Sequence, residues 1–244
     1  MTQRSGPRLA GDPGDRVLPL HAIDPETSLI LFDLDGTLFS GAEATVTAVQ
    51  DVFEKYGVPC PPRGEILSFF GIPTAEFQKW LADLCDAHGA GAPGEEIASE
   101  VIVHENDLVP SRGTLFPGVP DMLEELTGAG FTLGICTNGE QPYVGTVLKS
   151  QHIEKYFHGV RHRQCPEDEK PEMAMEIASA FPALTAVAFV GDRADDVACA
   201  RRIGAKAVGC LYGFGRDGEL DEADFVIERI GELRRVLRRI GKWE

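Results

Sequence analysis

The chain has 244 residues, 43% of them hydrophobic, and a formal net charge of -16 at pH 7. That is enough apolar material for a full core, and no long basic stripe is present to neutralise phosphates, which argues against nucleic acid or an anionic membrane as partner. Repulsion of small anions is screened beyond a Debye length of ~8 Å at physiological salt, so an anion site stays open to the chain where local cations are supplied.

Residues 1–27, rich in Gly, Pro and charge, read as a flexible leader without the apolar core of a signal peptide. No apolar run approaches a membrane span, and the cytoplasm is the expected compartment. SLILF (28–32) is the first strand expected. From 41 to 112 the pattern is helical only, punctuated by PCPPRG and GAGAPG. Ser40 and Glu43 have capping-box spacing, Val46, Val49, Val52, Phe53 and Tyr56 form an apolar stripe, and Gly57 is placed to end that helix. A second helix is expected from about Thr74 to His88, burying Phe77, Trp80, Leu81 and Leu84, and a third from about Glu95 to Leu108. The crossings near Ser40 and 110–113 can then act as a hinge.

Beyond 113, helix and strand patterns alternate. VPDMLEELTGAG, QPYVGTVLKSQHI, PEMAMEIASAF and RADDVACARRIG carry helical periodicity; FTLGIC (131–136), a weaker FHGVRH (157–162), AVAFVG (186–191), KAVGC (206–210) and DFVI (224–227) read as strands. A last helix buries Ile230, Leu233, Val236, Leu237 and Ile240 and turns Arg234, Arg235, Arg238 and Arg239 to solvent. Strands apolar on both faces and separated by helices indicate an α/β fold: a Rossmann-like, doubly wound parallel sheet core (28–40 and 113–244) with an inserted α-helical cap domain (41–112). The six cysteines, Cys60, Cys85, Cys136, Cys165, Cys199 and Cys210, form no CxxC pair and read as reduced, mostly buried thiols.

In such a sheet ligands bind at the carboxyl ends of the strands, and there the chemistry concentrates. Asp33, Asp35 and Thr37 follow the first strand, Thr137 and Asn138 the second, and Asp192, Asp195 and Asp196 the fourth, with Lys170-Pro171 at a helix start before it. Extended-chain alternation puts Asp33 and Asp35 on one side of the backbone. Carboxylates gathered at one rim call for a hard cation, and without His or Cys ligand spacing Mg²⁺ is the natural one. Lys170, Thr137 and main-chain N–H groups around Asn138 offer charge and donors to a tetrahedral anion. Asp33 is placed for in-line attack on phosphorus to form an aspartyl-phosphate, and Asp35 to protonate the leaving oxygen and then activate water.

FDLDGTL, Thr137-Asn138, Lys170 and GDRADD, in this order from about 28 to 229, resemble the four motifs of the haloacid dehalogenase superfamily. PGVPDMLEELTGAGFTLGICTNG and YGFG (212–215) make the chain similar to its phosphoglycolate phosphatase branch, with a helical cap after the first strand. The resemblance implies a Mg²⁺-dependent phosphatase for a small phosphorylated metabolite, with Asp33 as nucleophile, Asp35 as general acid/base, and Thr137 and Lys170 on the phosphate. It implies Asp192 as metal ligand with Asp33 and the Asp35 main-chain carbonyl. The supporting acid falls most naturally on Asp196, with Asp195 adjacent. Phe39-Ser40-Gly41 stands where many relatives carry Asp-Ser, a departure that leaves the substrate class open.

A sugar-phosphate mutase resembling β-phosphoglucomutase uses the same aspartate pair, and a receiver-like signalling module also combines acids, Thr and Lys. In the cap, Arg63, Phe69 and Phe70 are candidates to face the site, against the plainer reading of a solvated Arg and a core Phe pair; His158 and His162 read as structural or surface residues. Oligomeric state stays open.

Overall fold

The computed structural model describes residues 23–241. Residues 1–22 of the expected leader lie outside them. Its remaining part is packed rather than loose: Ile23 is buried in the core, and Pro25–Thr27 forms a 3-10 turn whose preceding Asp24 accepts the Glu26 N–H. An apolar side chain adjoining the first strand has a core to enter, which composition does not reveal.

β1 (Ser28–Phe32) is wholly buried. Leu29 and Leu31 enter one apolar cluster, Ile30 and Phe32 another, as strand alternation requires of a strand covered on both faces. A two-residue strand β2 (Phe39–Ser40) leads into α1 (Ala42–Tyr56), then α2 (Arg63–Leu67), α3 (Thr74–Ala87) and α4 (Gly94–Arg112). Strand β3 (Thr114–Leu115) pairs antiparallel with β2 and returns the chain to the sheet. There follow α5 (Val119–Gly128), β4 (Thr132–Thr137), α6 (Tyr143–Ser150), β5 (Gly159–His162), α7 (Lys170–Ser179), β6 (Thr185–Gly191), α8 (Ala194–Ile203), β7 (Lys206–Cys210), β8 (Phe225–Ile227) and α9 (Leu233–Ile240).

The main sheet has the order β5-β4-β1-β6-β7-β8, all pairs parallel. Helices α5, α6 and α9 cover the Ile30/Phe32 face, and α7 and α8 the Leu29/Leu31 face. β1 lies between β4 and β6, with Phe32 opposite Ile135 and Val190, so the residues after these three strands share one rim. Helices α1, α3 and α4 wrap a separate cluster that includes Val49, Phe53, Leu81, Cys85, Ile97 and Val101. No helix among the described residues is long and apolar enough to cross a membrane.

Two local expectations change. The Ser40/Glu43 capping box does not form: Gly41 is the N-cap without a side-chain bond, because Ser40 is drawn into the β2–β3 ladder and Glu43 pairs with Arg63 at 2.6 Å. The return crossing at 110–113 is the last turn of α4, which runs through Pro110 to Arg112, held by Val109 in the core and by the Gly113 N–H on the Val109 carbonyl. α2 forms directly after Pro61-Pro62, from the end of the PCPPRG punctuation onward. Gly57, at φ 67°, ends α1 in the left-handed conformation a glycine adopts freely.

Candidate active site

At the rim, Asp33 follows β1 and its N–H donates to the Val190 carbonyl at 2.8 Å, one more rung of the ladder. Lys170, the first residue of α7, is buried beneath it with its Nζ 2.6 Å from Asp33 Oδ1 and 2.8 Å from Asp196 Oδ1. Asp192 follows β6, and Asp196 sits in the first turn of α8, where its Oδ2 accepts the Arg193 N–H at 2.9 Å. One step of helical phase separates the two candidate acids: Asp196 is buried in the cluster and Asp195 is exposed to solvent.

Oxygens of Asp33, Asp192 and Asp196 lie within 4.8 Å of one another. Burial first, then the Asp33 and Asp196 charges, raises the Asp192 carboxyl well above the usual range, and burial pushes Asp196 up to about 6 against the pull of Lys170. Burial alone would lower the Lys170 ammonium, but the Asp196 and Asp33 charges outweigh it and hold it well above its ordinary value. Asp33 Oδ2 and Asp192 Oδ1 are buried without a hydrogen-bond partner. Unsatisfied carboxylate oxygens facing one another, with no nitrogen or sulfur donor among them, fit a hard divalent cation.

Asp35 is placed by a turn rather than by strand alternation, since β1 ends at Phe32. The Leu38 N–H closes on the Leu34 carbonyl at 2.9 Å and the Gly36 N–H on that of Phe39 at 2.9 Å. Gly36 has φ 81°, and a Cβ there would stand 2.2 Å from Asp192 Oδ2, so this turn admits glycine alone. Asp35 Oδ1 accepts the Tyr143 hydroxyl at 2.6 Å. Its carboxyl is pushed up to about 8, by burial above all and by the nearby Asp33, with the Tyr143 bond opposing. A carboxyl raised in this way keeps its proton to higher pH than an ordinary aspartate, which suits it to proton donation.

Thr137, buried at the end of β4, accepts the Gly139 N–H at 3.1 Å and keeps its own hydroxyl hydrogen to give. The Asn138 side chain is committed elsewhere: Nδ2 donates to the Gly71 carbonyl at 3.0 Å and Oδ1 accepts from Arg163 at 2.9 Å. Only its main chain is left for an anion. The same loop is tied down by Arg193, which donates to the Phe70 carbonyl and pairs with Glu219 at 2.6 Å, and by Phe70 packing 4.3 Å from Phe214.

Between the rim and α1–α4 lies a cavity of about 250 Å³, reached by Asp35, Thr137 and Tyr143 from the sheet side. Phe69 and Phe70 line it, while Arg63 does not and is half exposed beside Glu43. His158 and His162 do not line it either: the former accepts the Leu133 N–H at 3.4 Å and the latter is bonded to the Arg163 carbonyl at 2.9 Å. Glu105, Asn106 and Tyr143 line it unanticipated. For Glu105 the signal was present, since it stands midway between buried Val101 and Val109, four residues from each, and so puts a carboxylate on a buried stripe. Tyr143 reaches Asp35 across 108 residues, and nothing local marks it.

A parallel sheet with a lysine-bridged carboxylate cluster at its rim, and a second, proton-bearing carboxyl opening into a covered cavity, defines an α/β enzyme of the phosphoryl-handling kind. The chain belongs to the haloacid dehalogenase-like hydrolases, matching that family over residues 30–210, and within it stands with the phosphatases. It is 27% identical over 226 residues to the phosphoglycolate phosphatase of Salmonella choleraesuis, covering 84% of this chain and 90% of that one. With the Vibrio parahaemolyticus phosphoglycolate phosphatase it shares 26% over 223 residues, 87% of this chain and 96% of the other. In fold it resembles the crystal structure of a predicted phosphoglycolate phosphatase from Haemophilus somnus, with TM-score 0.77, 20% identity, and coverage of 85% and 96%.

Proposed function

We propose that the enzyme is a Mg²⁺-dependent phosphatase that hydrolyses a small phosphorylated metabolite through an aspartyl-phosphate on Asp33, with residues 41–112 as a cap over a core formed by 28–40 and 113–244. The observation that carries this reading is the pair of buried, unpartnered oxygens, Asp33 Oδ2 and Asp192 Oδ1, beside a lysine that holds the other oxygen of Asp33. Asp33, Asp192 and the main-chain carbonyl of Asp35 would hold the cation, with Asp196 supporting; when bound it neutralises the carboxylates and the phosphate facing them.

The remaining chemistry belongs to the chain. Lys170, the Thr137 hydroxyl and the main chain at Asn138 hold the phosphate oxygens. The Asp33 carboxylate attacks phosphorus in line and expels the ester oxygen, which takes the proton of Asp35. Asp35, now ionised, accepts a proton from water as that water attacks the phosphorus on Asp33, releasing phosphate and restoring both aspartates.

The test is phosphate release from a panel of small phosphomonoesters with Mg²⁺, run beside Asp33→Asn. The substitution is expected to lower turnover about 10³-fold or more. Turnover within tenfold of the unsubstituted enzyme would remove Asp33 as nucleophile. Isomerised sugar phosphate in place of free phosphate would identify a mutase, and a stable phospho-Asp33 without turnover a signalling module.

A further inference from the structure

Given the phosphatase reading, what the cavity holds beyond the phosphate decides the leaving group. Its ionisable lining consists of Asp35, Glu105, Asp107 and Glu140; no Lys, Arg or His lines it among the described residues. The arginines of the surrounding loops are engaged elsewhere. Arg193 holds the Phe70 carbonyl and Glu219, Arg163 holds Asn138 and the Pro166 carbonyl, and Arg216 bonds the Ser68 carbonyl at 3.4 Å. A carboxylate or second phosphate on the leaving group would therefore meet acids and no cation.

The neutral part of the lining points the same way. Asn106 lines the cavity, and its Oδ1 is buried and accepts no hydrogen bond. Glu105 accepts at Oε1 from the Thr45 hydroxyl, which joins it to α1 and fixes its carboxylate at the cavity wall. Two acceptors are thus presented side by side on α4, against an apolar surface made by Ile66, Phe69, Phe77 and Ile102. Acceptors set beside apolar walls recognise a ligand that carries donors on a hydrocarbon frame.

We propose that the enzyme selects phosphomonoesters whose leaving group bears no anion and offers an ammonium or hydroxyl donor to Glu105 and Asn106, and that Glu105 is the residue that rejects anionic leaving groups. The phosphoglycolate named for its relatives would belong to the rejected class, because its carboxylate would meet acids and no cation in the lining. An amino-alcohol phosphate and a polyol phosphate belong to the accepted one.

Three probes matched in size test this with Mg²⁺ present: 2-phosphoglycolate, phosphoethanolamine and glycerol phosphate, read as kcat/KM for phosphate release. The amine or the polyol ester is expected to exceed phosphoglycolate by at least about tenfold, since like charges brought together in a covered site are strongly disfavoured. Glu105→Gln is expected to shrink that ratio at least about fivefold, mainly through KM, because the substitution removes charge while keeping shape and the acceptor for Thr45. A ratio measured within one preparation cancels the fraction of folded protein. Phosphoglycolate equal to or better than both other probes in the unsubstituted enzyme would overturn the proposal while leaving the phosphatase reading intact. A ratio unmoved by Glu105→Gln would overturn the role given to Glu105. Release from none of the probes, nor from p-nitrophenyl phosphate, would instead overturn the phosphatase reading on which the proposal rests.

Discussion

Glu105→Gln should make the protein more stable at alkaline pH, with an effect that vanishes in acid. Burial raises the Glu105 carboxyl from its ordinary 4.5 to about 7, the Thr45 hydrogen bond opposing. Between those two values the native side chain holds a proton that the unfolded chain has released, so unfolding free energy falls as pH rises across the window. The stability tied to this group is fully present below pH 4.5 and lost once pH passes about 7. A rise from 4.5 to about 7 corresponds to about 3 kcal/mol at 1.36 kcal/mol per pH unit. Glu105 is half-buried and reaches the cavity, where water screens its charge, so about 1–2 kcal/mol is the expected effect. The assay is urea denaturation of both proteins in EDTA at pH 5.5 and 8.5, taking the difference between variant and parent at each pH so that the other buried acids cancel. About two fifths of that effect is already lost at pH 5.5, so the variant should gain about 1 kcal/mol relative to the parent on going from the lower to the higher pH. A difference that stays constant with pH, or moves in the parent's favour, would refute the account of a carboxyl held against its charge by burial.

Tyr143→Phe removes the donor that draws the Asp35 carboxyl downward, so its value should rise above about 8 and the alkaline limb of kcat/KM should move to higher pH. A limb displaced to lower pH in the pH–rate profile would show that the hydroxyl acts in the opposite sense. Lys170→Met leaves Asp33 and Asp196 buried without their cation and is expected to cost about 3–5 kcal/mol of stability in EDTA by urea denaturation. A loss below about 1 kcal/mol would mean that the carboxylates are paired by something other than this lysine.

Much of the architecture is legible along the chain because it follows from local rules. β1 is apolar from Leu29 to Phe32 and buried throughout, since both of its faces are covered, and the same reasoning locates β4, β6 and β7 to within a residue or so. Where those strands end is also where Asp33, Thr137 and Asp192 stand, so a rule about sheet rims reaches the site without coordinates. Errors occur where a longer-range partner outbids a local preference. Ser40 could cap α1, but the β2–β3 ladder takes it; the third helix is expected to end near Leu108, but with Val109 in the core it runs on through Pro110 to Arg112.

Composition and motif spacing by themselves determined an acidic α/β protein and named the aspartates and lysine that meet at one rim. Tertiary structure decided what those residues do to one another and what they face. It buried Asp196 and left Asp195 exposed, turned the Asn138 side chain away to Gly71 and Arg163, and brought Tyr143 onto Asp35 from 108 residues away. It also set Glu105 and Asn106 into a cavity that lacks a cation among the described residues. The division has a physical cause: alternation and strand ends are written in neighbouring residues, whereas pKa values and cavity polarity are sums over side chains that only folding brings within a few ångströms.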